Sequence, residues 1–476
     1  MSANAWTRLE SAYRDVCRWL REPAGPVHLM GIGGVGMAAL AVHLRARGHQ
    51  VTGCDVQPGR VTEWLESVGI PVAIGHDSNH LDRRMAAVIY SPAVQLTDPE
   101  LAAARALDVP TYTRGVVLPA LLRNRPSVAV AGSHGKTTTT AMLAHAFRAV
   151  GRPASFAIGG EIDRSGCVAE AAGDPLIVEA DESDGTVSLY EPEFAILTNV
   201  ELDHVDYFKD VADVEACFGR FVSRVRAAVW YGADDPGARR VCAGLPHARS
   251  FGFAHDAHLR AVSFEESGLG CSAVIRRNGA LLGSLSLGVP GRTNLLDAVG
   301  ALGVALDAGI PFAEAARALA GFRPVRRRFE MVARTDSRTV ISDYAHHPTE
   351  IRALVAQARR LPASRRIAVY QPHRYSRTAA LAGAFPPSFE GIDELVLAPV
   401  YAASEAPVPG GESADLLAHF RDPAGPRVTL AHSLLEAWDL IRNKWRDGDV
   451  LLVIGAGDVE KIAFWAADSL RAPETT

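Results

Sequence analysis

The sequence predicts an α/β protein of three consecutive domains, each built around a parallel sheet. The chain has 476 residues, and at roughly 150 residues per domain this length suggests about three domains. Short apolar segments alternate with segments of helical period along most of the chain, as they do in βαβ units. Proline or arginine clusters interrupt this alternation near residues 123–127 and 322–329, which predicts domain boundaries at these two places.

The first predicted element is an amphipathic helix within residues 1–24, which form an N-terminal extension. Apolar residues recur at helical spacing, among them Trp6, Leu9 and Tyr13, and charged residues lie between them. This pattern differs from the uninterrupted apolar segment of a secretory signal peptide. The three domains that follow are predicted to cover residues 25–124, 125–323 and 324–476.

Composition and charge argue against two classes of function. The net charge of −5 leaves no basic excess to neutralise a nucleic-acid backbone. The most apolar early segment, residues 27–44, contains two histidines and four glycines, so it falls short of the roughly 20 predominantly apolar residues of a membrane span. The six cysteines are isolated, without a C-x-x-C pair, and this predicts a reducing, cytoplasmic environment.

The first domain opens with a predicted strand, a glycine-rich turn and a helix. The turn at residues 31–36 reads G-I-G-G-V-G, and Asp55 ends the next predicted strand 24 residues after Gly31. Such glycines let the backbone approach a diphosphate at a helix N-terminus, where free amides and the helix dipole favour anions. The ligand could be NAD or another diphosphate nucleotide, and a tight turn without any ligand is the structural alternative.

The middle domain opens with a second phosphate-binding pattern. Residues 132–138 read G-S-H-G-K-T-T between a predicted strand and a predicted helix. Val130 occupies the place of the first glycine of a standard P-loop, but Lys136 and Thr137 keep its ammonium and hydroxyl groups. Only four of the 49 basic residues are lysines, so a lysine at this position is a specific signal. The segment predicts a site for nucleotide phosphates and magnesium.

Two acidic segments follow predicted strands of the middle domain. Residues 179–184 read E-A-D-E-S-D, and residues 198–206 read T-N-V-E-L-D-H-V-D. Parallel sheets bind ligands at the carboxyl ends of their strands, and carboxylates suit magnesium. The alternatives are solvated loop acids or helix caps for the aspartates, and a buried, hydrogen-bonded imidazole for His204.

The remaining elements complete the middle and third domains. Residues 251–287 form short alternating segments around Gly268, Gly270 and Gly279, which predicts a small β excursion within the middle domain. In the third domain the segments T-V-I-S-D-Y-A, R-I-A-V-Y, E-L-V-L-A-P and D-V-L-L-V-I are predicted buried strands of a parallel sheet.

Eight motifs in this order resemble those of the Mur ligase family: H-L-M-G-I-G-G-V-G-M, A-G-S-H-G-K-T-T-T-T, E-A-D-E-S-D, T-N-V-E-L-D-H, G-R-T-N, R-R-R-F-E, D-Y-A-H-H-P-T-E and Q-P-H-R-Y-S-R-T. They extend over about 350 residues. Each motif alone would be weak evidence, but their order and spacing make a chance match negligible.

The resemblance implies a three-domain Mur ligase architecture, with a Rossmann-like N-terminal domain, a central P-loop ATPase domain and a Rossmann-like C-terminal domain. It implies ATP-driven amide formation in peptidoglycan synthesis, with ATP and Mg²⁺ as cofactors. The motifs fit best the branch that joins UDP-N-acetylmuramate to L-alanine. In that branch the muramyl carboxylate attacks the γ-phosphate of ATP, and the amine of alanine attacks the resulting acyl phosphate.

The resemblance also assigns roles to individual residues. The UDP-sugar would bind Gly33, Gly34, Val35, Gly36, Asp55 and Ser91. ATP would bind Gly132, Ser133, His134, Gly135, Lys136, Thr137, Thr138, Asn294, Arg326 and Asp343. The catalytic residues would be Lys136, Glu179 and His204, and magnesium would bind Thr137, Glu179 and His204. The amino acid would bind Tyr344, His346, Arg374 and Arg377, where arginine can hold an α-carboxylate with two hydrogen bonds.

Three points stay open within this resemblance. Several Mur ligases carry a carbamoylated lysine after the Asp-His motif, yet residues 210–232 contain no lysine, so the completion of a second metal site is undetermined. The arginines at 326–328 could instead form a solvated linker, because charge runs usually face water. His347 could equally be a packed neighbour of His346.

Three alternative functions compete with the alanine-adding ligase. A recycling ligase of the same fold would attach a preformed peptide to UDP-N-acetylmuramate. An NAD-dependent oxidoreductase would use the turn at residues 31–36, but it leaves Lys136 without a role. A catalytically silent nucleotide-binding scaffold conflicts with an intact set of catalytic side chains. The sequence leaves open whether glycine or serine competes with alanine, and whether the protein is a monomer or a homodimer.

Overall fold

A computed structural model describes residues 3–21, 25–161 and 168–471. Three separate sheets, of 5, 10 and 6 strands, follow one another along these residues. Parallel pairs form the centre of each sheet, so the predicted α/β class is confirmed. We keep the predicted domain boundaries at residues 24, 124 and 323 as a proposal, and we refer below to the first, middle and third domains.

The first domain is a five-stranded parallel sheet with helices on both faces. Its elements are α1 (Ala3–Trp19), β1 (Val27–Met30), α2 (Val35–Ala46), β2 (Val51–Asp55), α3 (Arg60–Ser67), β3 (Val72–Ile74), β4 (Ala87–Tyr90), α4 (Pro99–Ala106), β5 (Thr111–Thr113) and α5 (Arg114–Leu122). The strand order is β3-β2-β1-β4-β5. Because β1 is central and α2 begins directly after the glycine turn, this turn lies at the carboxyl end of the sheet.

Helix α1 confirms the predicted amphipathic helix and connects two domains. Tyr13 and Val16 on one face are buried in the core that α1 shares with α5. The guanidinium of Arg220, in the middle domain, lies 5.5 Å from the centre of the Trp6 ring. The side chain of Arg224 lies 3.6 Å from the Glu10 carboxylate. Helix α1 therefore covers apolar surface of the first domain and contacts the middle domain as well.

Deletion of residues 1–20 is expected to lower the thermal unfolding midpoint, because it exposes the apolar face of α5. Each buried apolar side chain of α1 contributes about 1.5–3 kcal/mol of transfer free energy, so the effect is large enough for scanning calorimetry. Arg8→Ala, on the exposed face, is the control and should leave the midpoint unchanged. An unchanged midpoint after the deletion would contradict this role for α1.

The middle domain is built on a ten-stranded sheet. Its elements are β6 (Ser127–Ala131), α6 (Lys136–Ala149), β7 (Ser155–Ala157), β8 (Ala169–Glu170), β9 (Leu176–Glu179), β10 (Phe194–Leu197), α7 (Val211–Val222), β11 (Ala228–Gly232), α8 (Pro236–Cys242), β12 (Ala248–Gly252), β13 (Leu259–Ser267), β14 (Gly270–Arg277), β15 (Ala280–Leu287), α9 (Arg292–Asp307) and α10 (Phe312–Ala320). The strand order is β15-β14-β13-β12-β11-β10-β6-β9-β7-β8.

Two predicted features of the middle domain are confirmed. Strands β13, β14 and β15 pair antiparallel and form the β excursion predicted for residues 251–287. Strand β6 is fully buried between β9 and β10, and the P-loop follows it. Gly135 ends this loop with φ of 82° as the N-cap of α6, a left-handed conformation that glycine adopts without steric cost.

The third domain is a six-stranded sheet with one antiparallel edge. Its elements are β16 (Glu330–Arg334), β17 (Thr339–Asp343), α11 (Pro348–Ala358), β18 (Arg365–Tyr370), α12 (Tyr375–Leu381), β19 (Glu394–Leu397), α13 (Ser413–Leu417), β20 (Arg427–Leu430), α14 (Leu434–Arg442), β21 (Asp449–Ile454) and α15 (Glu460–Arg471). The order is β16-β17-β21-β18-β19-β20, and β16 pairs antiparallel with β17. The four predicted strands correspond to β17, β18, β19 and β21. Among the described helices, none combines the length and the apolar character that a membrane crossing requires.

Candidate active site

A cavity of about 400 Å³ lies where the three domains meet. Its walls are the loops after β1, β6, β9, β10, β17 and β18, and these loops lie at the carboxyl ends of parallel strands, where α/β sheets bind ligands. Of the predicted site residues, this central cavity brings together Gly34, Val35, Gly36, Ser91, Ser133, His134, Gly135, Lys136, Thr137, Glu179, His204, Tyr344, His346, Arg374 and Arg377.

A second cavity, of about 200 Å³, lies between the middle and third domains. It adjoins the central cavity, because His134, Gly135 and Arg328 border both. The predicted nucleotide residues Thr138, Asn294 and Asp343 line it, together with Asn199, Asp297, Phe322 and Gln357. This mixture of apolar and amide-bearing side chains, directly beside the P-loop, suits the base and sugar of a nucleotide.

A third cavity, of about 380 Å³, contains the other predicted residues of the first domain. Gly33 and Asp55 line it, and the Gly33 amide donates a 2.8 Å hydrogen bond to Asp55 Oδ2. Arg326 also borders this cavity and lies 2.8 Å from Glu161 and 3.5 Å from Glu460. Arg326 therefore does not reach the second cavity, the predicted nucleotide position, in this conformation.

Arg328, and not Arg326, lies beside the P-loop and borders both the central and the second cavity. Its Nη2 lies 3.4 Å from Thr137 Oγ1, and its Nη1 lies 4.0 Å from Glu350. The side chains of Arg326, Arg327 and Arg328 are only 11%, 16% and 27% exposed. The alternative of a solvated linker therefore does not describe these three arginines.

The ammonium of Lys136 is held over the P-loop by oxygen atoms. It donates to the carbonyls of Gly132 at 2.7 Å and Ser133 at 3.2 Å, and to Glu182 Oε1 at 2.8 Å. Burial opposes the charge of this lysine, but the surrounding carboxylates, Glu182 first, raise its pKa. The side chain is therefore a permanent cation at the wall of the central cavity.

Carboxylates surround the hydroxyl of Thr137 and the imidazole of His204. Thr137 Oγ1 donates to Glu179 Oε1 at 3.0 Å, and His204 Nε2 lies 3.7 Å from Glu182 Oε1. Burial raises the pKa of Glu182, against the effect of Lys136. Its second oxygen, Oε2, is buried without a hydrogen-bond partner among the described residues. The Thr137 hydroxyl and these carboxylates are hard oxygen ligands, and together with the unsatisfied carboxylate oxygen they are suited to a divalent cation.

Arg114, at the start of α5, connects the first domain to this acidic cluster. Its Nη2 lies 2.9 Å from Asp181, and it packs against the glycine turn at Gly36. Burial opposes ionisation of Asp181, but Arg114, His204 and Lys136 together hold the pKa of that carboxyl well below its usual range. Arg114 thus places its guanidinium beside the glycine turn, and Asp181 fixes its position.

Both arginines predicted for the amino acid form ion pairs with the second acidic segment. Arg377 is 3% exposed, and its Nε and Nη2 lie 2.9 Å and 2.8 Å from Asp203 Oδ1. Arg374 Nη1 lies 2.5 Å from Asp206. Arg377 Nη1 contacts His373, so one of the five guanidinium N–H groups, on Nη2, has no partner among the residues that the structure describes. These pairs hold the third domain against the middle domain.

His134 of the P-loop forms a second connection to the third domain. Its Nε2 lies 3.3 Å from Glu201, its Nδ1 lies 3.4 Å from Glu350, and its ring centre is 4.6 Å from that of His347. Burial opposes protonation, but the contacts with Glu201 and Glu350 raise the pKa of His134 to about 10. His347 accepts a hydrogen bond from the Thr349 amide and so caps α11.

The stability contributed by His134 is expected to depend on pH. Because its pKa is raised from 6.5 to about 10, the stabilisation is complete below about pH 6.5 and is lost as the pH rises through 10. His134→Gln should lower the thermal unfolding midpoint most at acidic pH. The difference in midpoint between this variant and the unmodified protein should become smaller towards pH 10. His247→Gln, which removes a bond to the Val222 carbonyl within the middle domain, is the control. A constant difference across this range would contradict the ionic role of His134.

Sequence reasoning missed four residues of the site, namely Arg114, Glu182, Arg328 and Glu350. Arg114 contacts Asp181, 67 residues away in the chain, and no local pattern marks such a pair. Glu182, Arg328 and Glu350 lie inside motifs that the sequence did single out. The neighbouring residues in these motifs were equally plausible site residues, because a motif gives residue types but not the direction of each side chain.

Three family models match successive parts of the chain. "Mur ligase family, catalytic domain" matches residues 26–126, "Mur ligase middle domain" matches residues 130–305, and "Mur ligase, glutamate ligase domain" matches residues 327–457. Each of the three sheets lies largely within one of these matches.

Curated relatives are similar over nearly the whole chain. The UDP-N-acetylmuramate–L-alanine ligase of Solidesulfovibrio magneticus is 37% identical over 463 residues, which cover 95% of this chain and 100% of the relative. The enzyme with the same name from Acidothermus cellulolyticus is 38% identical over 459 residues, which cover 94% of this chain and 96% of the relative.

Solved structures show the same architecture. The UDP-N-acetylmuramate-alanine ligase of Thermotoga maritima superposes with a TM-score of 0.80 at 27% identity, covering 94% of this chain and 99% of that one. A murein peptide ligase from Psychrobacter arcticus superposes with a TM-score of 0.70 at 22% identity, covering 95% of this chain and 100% of that one. This second match shows similarity of fold. On the family models, the relatives and the fold together, this chain belongs to the Mur ligase family.

Proposed function

We propose that this chain joins L-alanine to the carboxylate of UDP-N-acetylmuramate at the expense of ATP, a step of peptidoglycan synthesis. The main observation that supports this proposal is the central cavity. The glycine turn, Lys136 and Arg377 belong to three different domains, and all of them line this cavity. The full-length similarity to relatives named as alanine ligases supports these substrates.

The UDP diphosphate is proposed to bind at the glycine turn. Gly34 is the N-cap of α2, and Val35 and Gly36 form its first turn, so the amides of this turn and the helix dipole attract anions. Arg114, which lines the same cavity, adds a cation. This arrangement directs the muramyl group from the first domain towards Lys136. The alternative of an NAD-dependent oxidoreductase has less support, because the glycine turn and the P-loop of the middle domain line the same cavity.

The P-loop and its acidic neighbours fit ATP with Mg²⁺. The amides of the loop, Lys136 and Arg328 would hold the phosphates, and the second cavity would hold the nucleoside. Thr137, Glu179 and His204 would hold the metal, with the unsatisfied oxygen of Glu182 nearby. A divalent cation bound there would neutralise charge on the phosphates and orient the terminal phosphate for in-line attack.

The reaction needs activation of a carboxylate, because a carboxylate ion does not react with amines. A muramyl oxygen attacks the γ-phosphorus, the bond to ADP breaks, and Lys136 stabilises the charge on the transferring group. The neutral amine of alanine then attacks the acyl carbon, phosphate leaves, and one proton is released. Arg377 is proposed to hold the alanine carboxylate through its remaining donor, which aims the amine at the acyl group.

Closure of the domains around the substrates is part of this proposal. The ion pairs of Arg374 and Arg377 with the second acidic segment bring the amino-acid site to the P-loop. Exclusion of water protects the acyl phosphate from hydrolysis.

A cytoplasmic location is also proposed, since Cys17, Cys54, Cys217, Cys242 and Cys271 are free thiols in the described parts of the chain.

Phosphate release tests the proposed function. The purified protein is incubated with ATP, Mg²⁺ and UDP-N-acetylmuramate, and L-alanine, glycine, L-serine and a murein tripeptide are added in separate reactions. The expected result is phosphate release that depends on both the sugar nucleotide and L-alanine, with an amide product of the corresponding mass. Activity with the tripeptide alone would replace the proposal by a recycling ligase. Inactivity with every acceptor would favour a nucleotide-binding scaffold.

A further inference from the structure

Four side chains with metal-binding groups lie together in the first domain, beneath α4. His28 of β1, Cys54 of β2, His80 after β3 and Glu100 of α4 each place one ligand atom within 4.8 Å of the others. His28, Cys54 and Glu100 are at most 2% exposed, whereas the His80 side chain is 23% exposed. None of the four lines the cavities described above, so the proposed ligase reaction does not use them.

The four side chains contact one another through the atoms that could bind a metal. His28 Nε2 lies 3.0 Å from Glu100 Oε1 and 3.4 Å from Cys54 Sγ. His80 Nδ1 lies 3.1 Å from Glu100 Oε1, and Cys54 Sγ lies 3.3 Å from Glu100 Oε2. Bonds of about 2.0–2.3 Å to zinc place the ligand atoms of a tetrahedral site about 3.3–3.7 Å apart. The contacts of Glu100 Oε1 with both imidazoles, and of His28 with Cys54, are within a few tenths of an ångström of these separations, and the remaining ligand atoms lie within 4.8 Å of one another.

The chemistry and charge of the four groups favour zinc. Thiolate and imidazole ligands select zinc over magnesium or calcium. One thiolate, one carboxylate and two neutral imidazoles balance the charge of Zn²⁺, which suits a buried position. Without an ion, burial raises the pKa of the Cys54 thiol and keeps its proton in place. Coordination replaces this proton by the metal.

The imidazole of His28 is also oriented as a zinc ligand would be. Its Nε2 faces the carboxylate and the thiol, and its Nδ1 lies 2.9 Å from Thr52 Oγ1. Histidines that bind metals have their second ring nitrogen fixed by such a hydrogen bond, which sets the tautomer and the ring direction. Since β1 and β2 pair in register at His28 and Thr52, the backbone itself holds this contact.

We propose that His28, Cys54, His80 and Glu100 form a structural zinc site that ties β1, β2 and the segment after β3 to α4. The ion takes all four of its ligands from the protein, as closed structural sites do. On binding, the thiol proton of Cys54 passes to solvent, the imidazoles bind as neutral ligands, and no group is oxidised or reduced. The partial exposure of His80 provides the path by which the ion enters.

Zinc content provides the first test. The full-length protein is loaded with Zn²⁺, passed through a desalting column, and analysed by plasma mass spectrometry. About one zinc ion per chain is expected for the unmodified protein, and at least about tenfold less for Cys54→Ser and for His80→Ala. Cys242→Ser is the matched control, because Cys242 is also a buried free thiol but lies outside the cluster. It should keep the full zinc content.

Cobalt substitution provides the second test. Co²⁺ bound by a thiolate gives a charge-transfer absorption in the near ultraviolet, expected for the unmodified protein and for Cys242→Ser. The absorption should disappear in Cys54→Ser and persist in His204→Ala, which alters the proposed magnesium site. Equal zinc contents of the unmodified protein and Cys54→Ser, or a cobalt spectrum without this absorption, would identify the cluster as a metal-free hydrogen-bond network. Both readouts are independent of ATP and of the sugar nucleotide, so they do not depend on the ligase activity.

Discussion

Replacement of Lys136 by alanine is expected to reduce kcat by about a thousandfold or more. The ammonium is held by the P-loop carbonyls of Gly132 and Ser133 at the wall of the central cavity, the proposed place of the transferring phosphate. Loss of one group that stabilises transition-state charge costs about two to five orders of magnitude in comparable enzymes. Steady-state phosphate release with all three substrates measures the effect.

The affinity of Lys136→Ala for the sugar nucleotide is expected to stay within about threefold of that of the unmodified protein, because the proposed binding site of this ligand lies in the first domain. Titration calorimetry with UDP-N-acetylmuramate measures this affinity. Lys209→Ala, which alters an exposed lysine, is the control for both experiments and should change neither value. A loss of sugar-nucleotide affinity as large as the loss of turnover would contradict the division of roles between the two domains.

Replacement of Arg377 by alanine is expected to raise KM for L-alanine by about thirtyfold or more, and KM for ATP much less. Removal of one partner of a buried, hydrogen-bonded charge pair costs about 2–5 kcal/mol, and about 1.4 kcal/mol corresponds to a factor of ten. The free donor on Nη2 is the proposed contact with the alanine carboxylate. Initial rates measured while each substrate is varied in turn give the three KM values.

Asp203→Asn separates the two roles that Arg377 could have. This variant weakens the ion pair between the middle and third domains but retains the guanidinium in the central cavity. If Arg377 binds alanine, KM for alanine should rise more in Arg377→Ala than in Asp203→Asn. Equal changes in both variants, spread over all three substrates, would show that Arg377 serves only domain closure.

The elements and loops of the site could be predicted because their signals are local. The apolar segment before the P-loop became the buried strand β6, and Gly135 has the positive φ that the turn into α6 requires. The amphipathic period of the N-terminal segment likewise predicted α1. Each of these features depends on residues within one or two turns of the chain.

The contacts between domains could not be predicted, because they depend on how three sheets pack against one another. The arginine motif suggested that Arg326 reaches the nucleotide, yet it lies beside Glu161 and Arg328 borders both cavities. The side chains of adjacent loop residues point in different directions, and the sequence does not indicate which of them faces the site. Arg114 carries no motif at all, although it contacts Asp181 across the domain interface.

A heavy-oxygen label in the muramyl carboxylate tests the central claim most directly. The three-domain cavity is proposed to bring this carboxylate to the γ-phosphate, so one labelled oxygen should appear in each phosphate released. The other labelled oxygen should remain in the amide. Repeated release of labelled phosphate should require L-alanine. Mass spectrometry of the phosphate and of the product measures both. Released phosphate without the label, while the amide forms at the normal rate, would contradict attack by the carboxylate and the proposed mechanism with it.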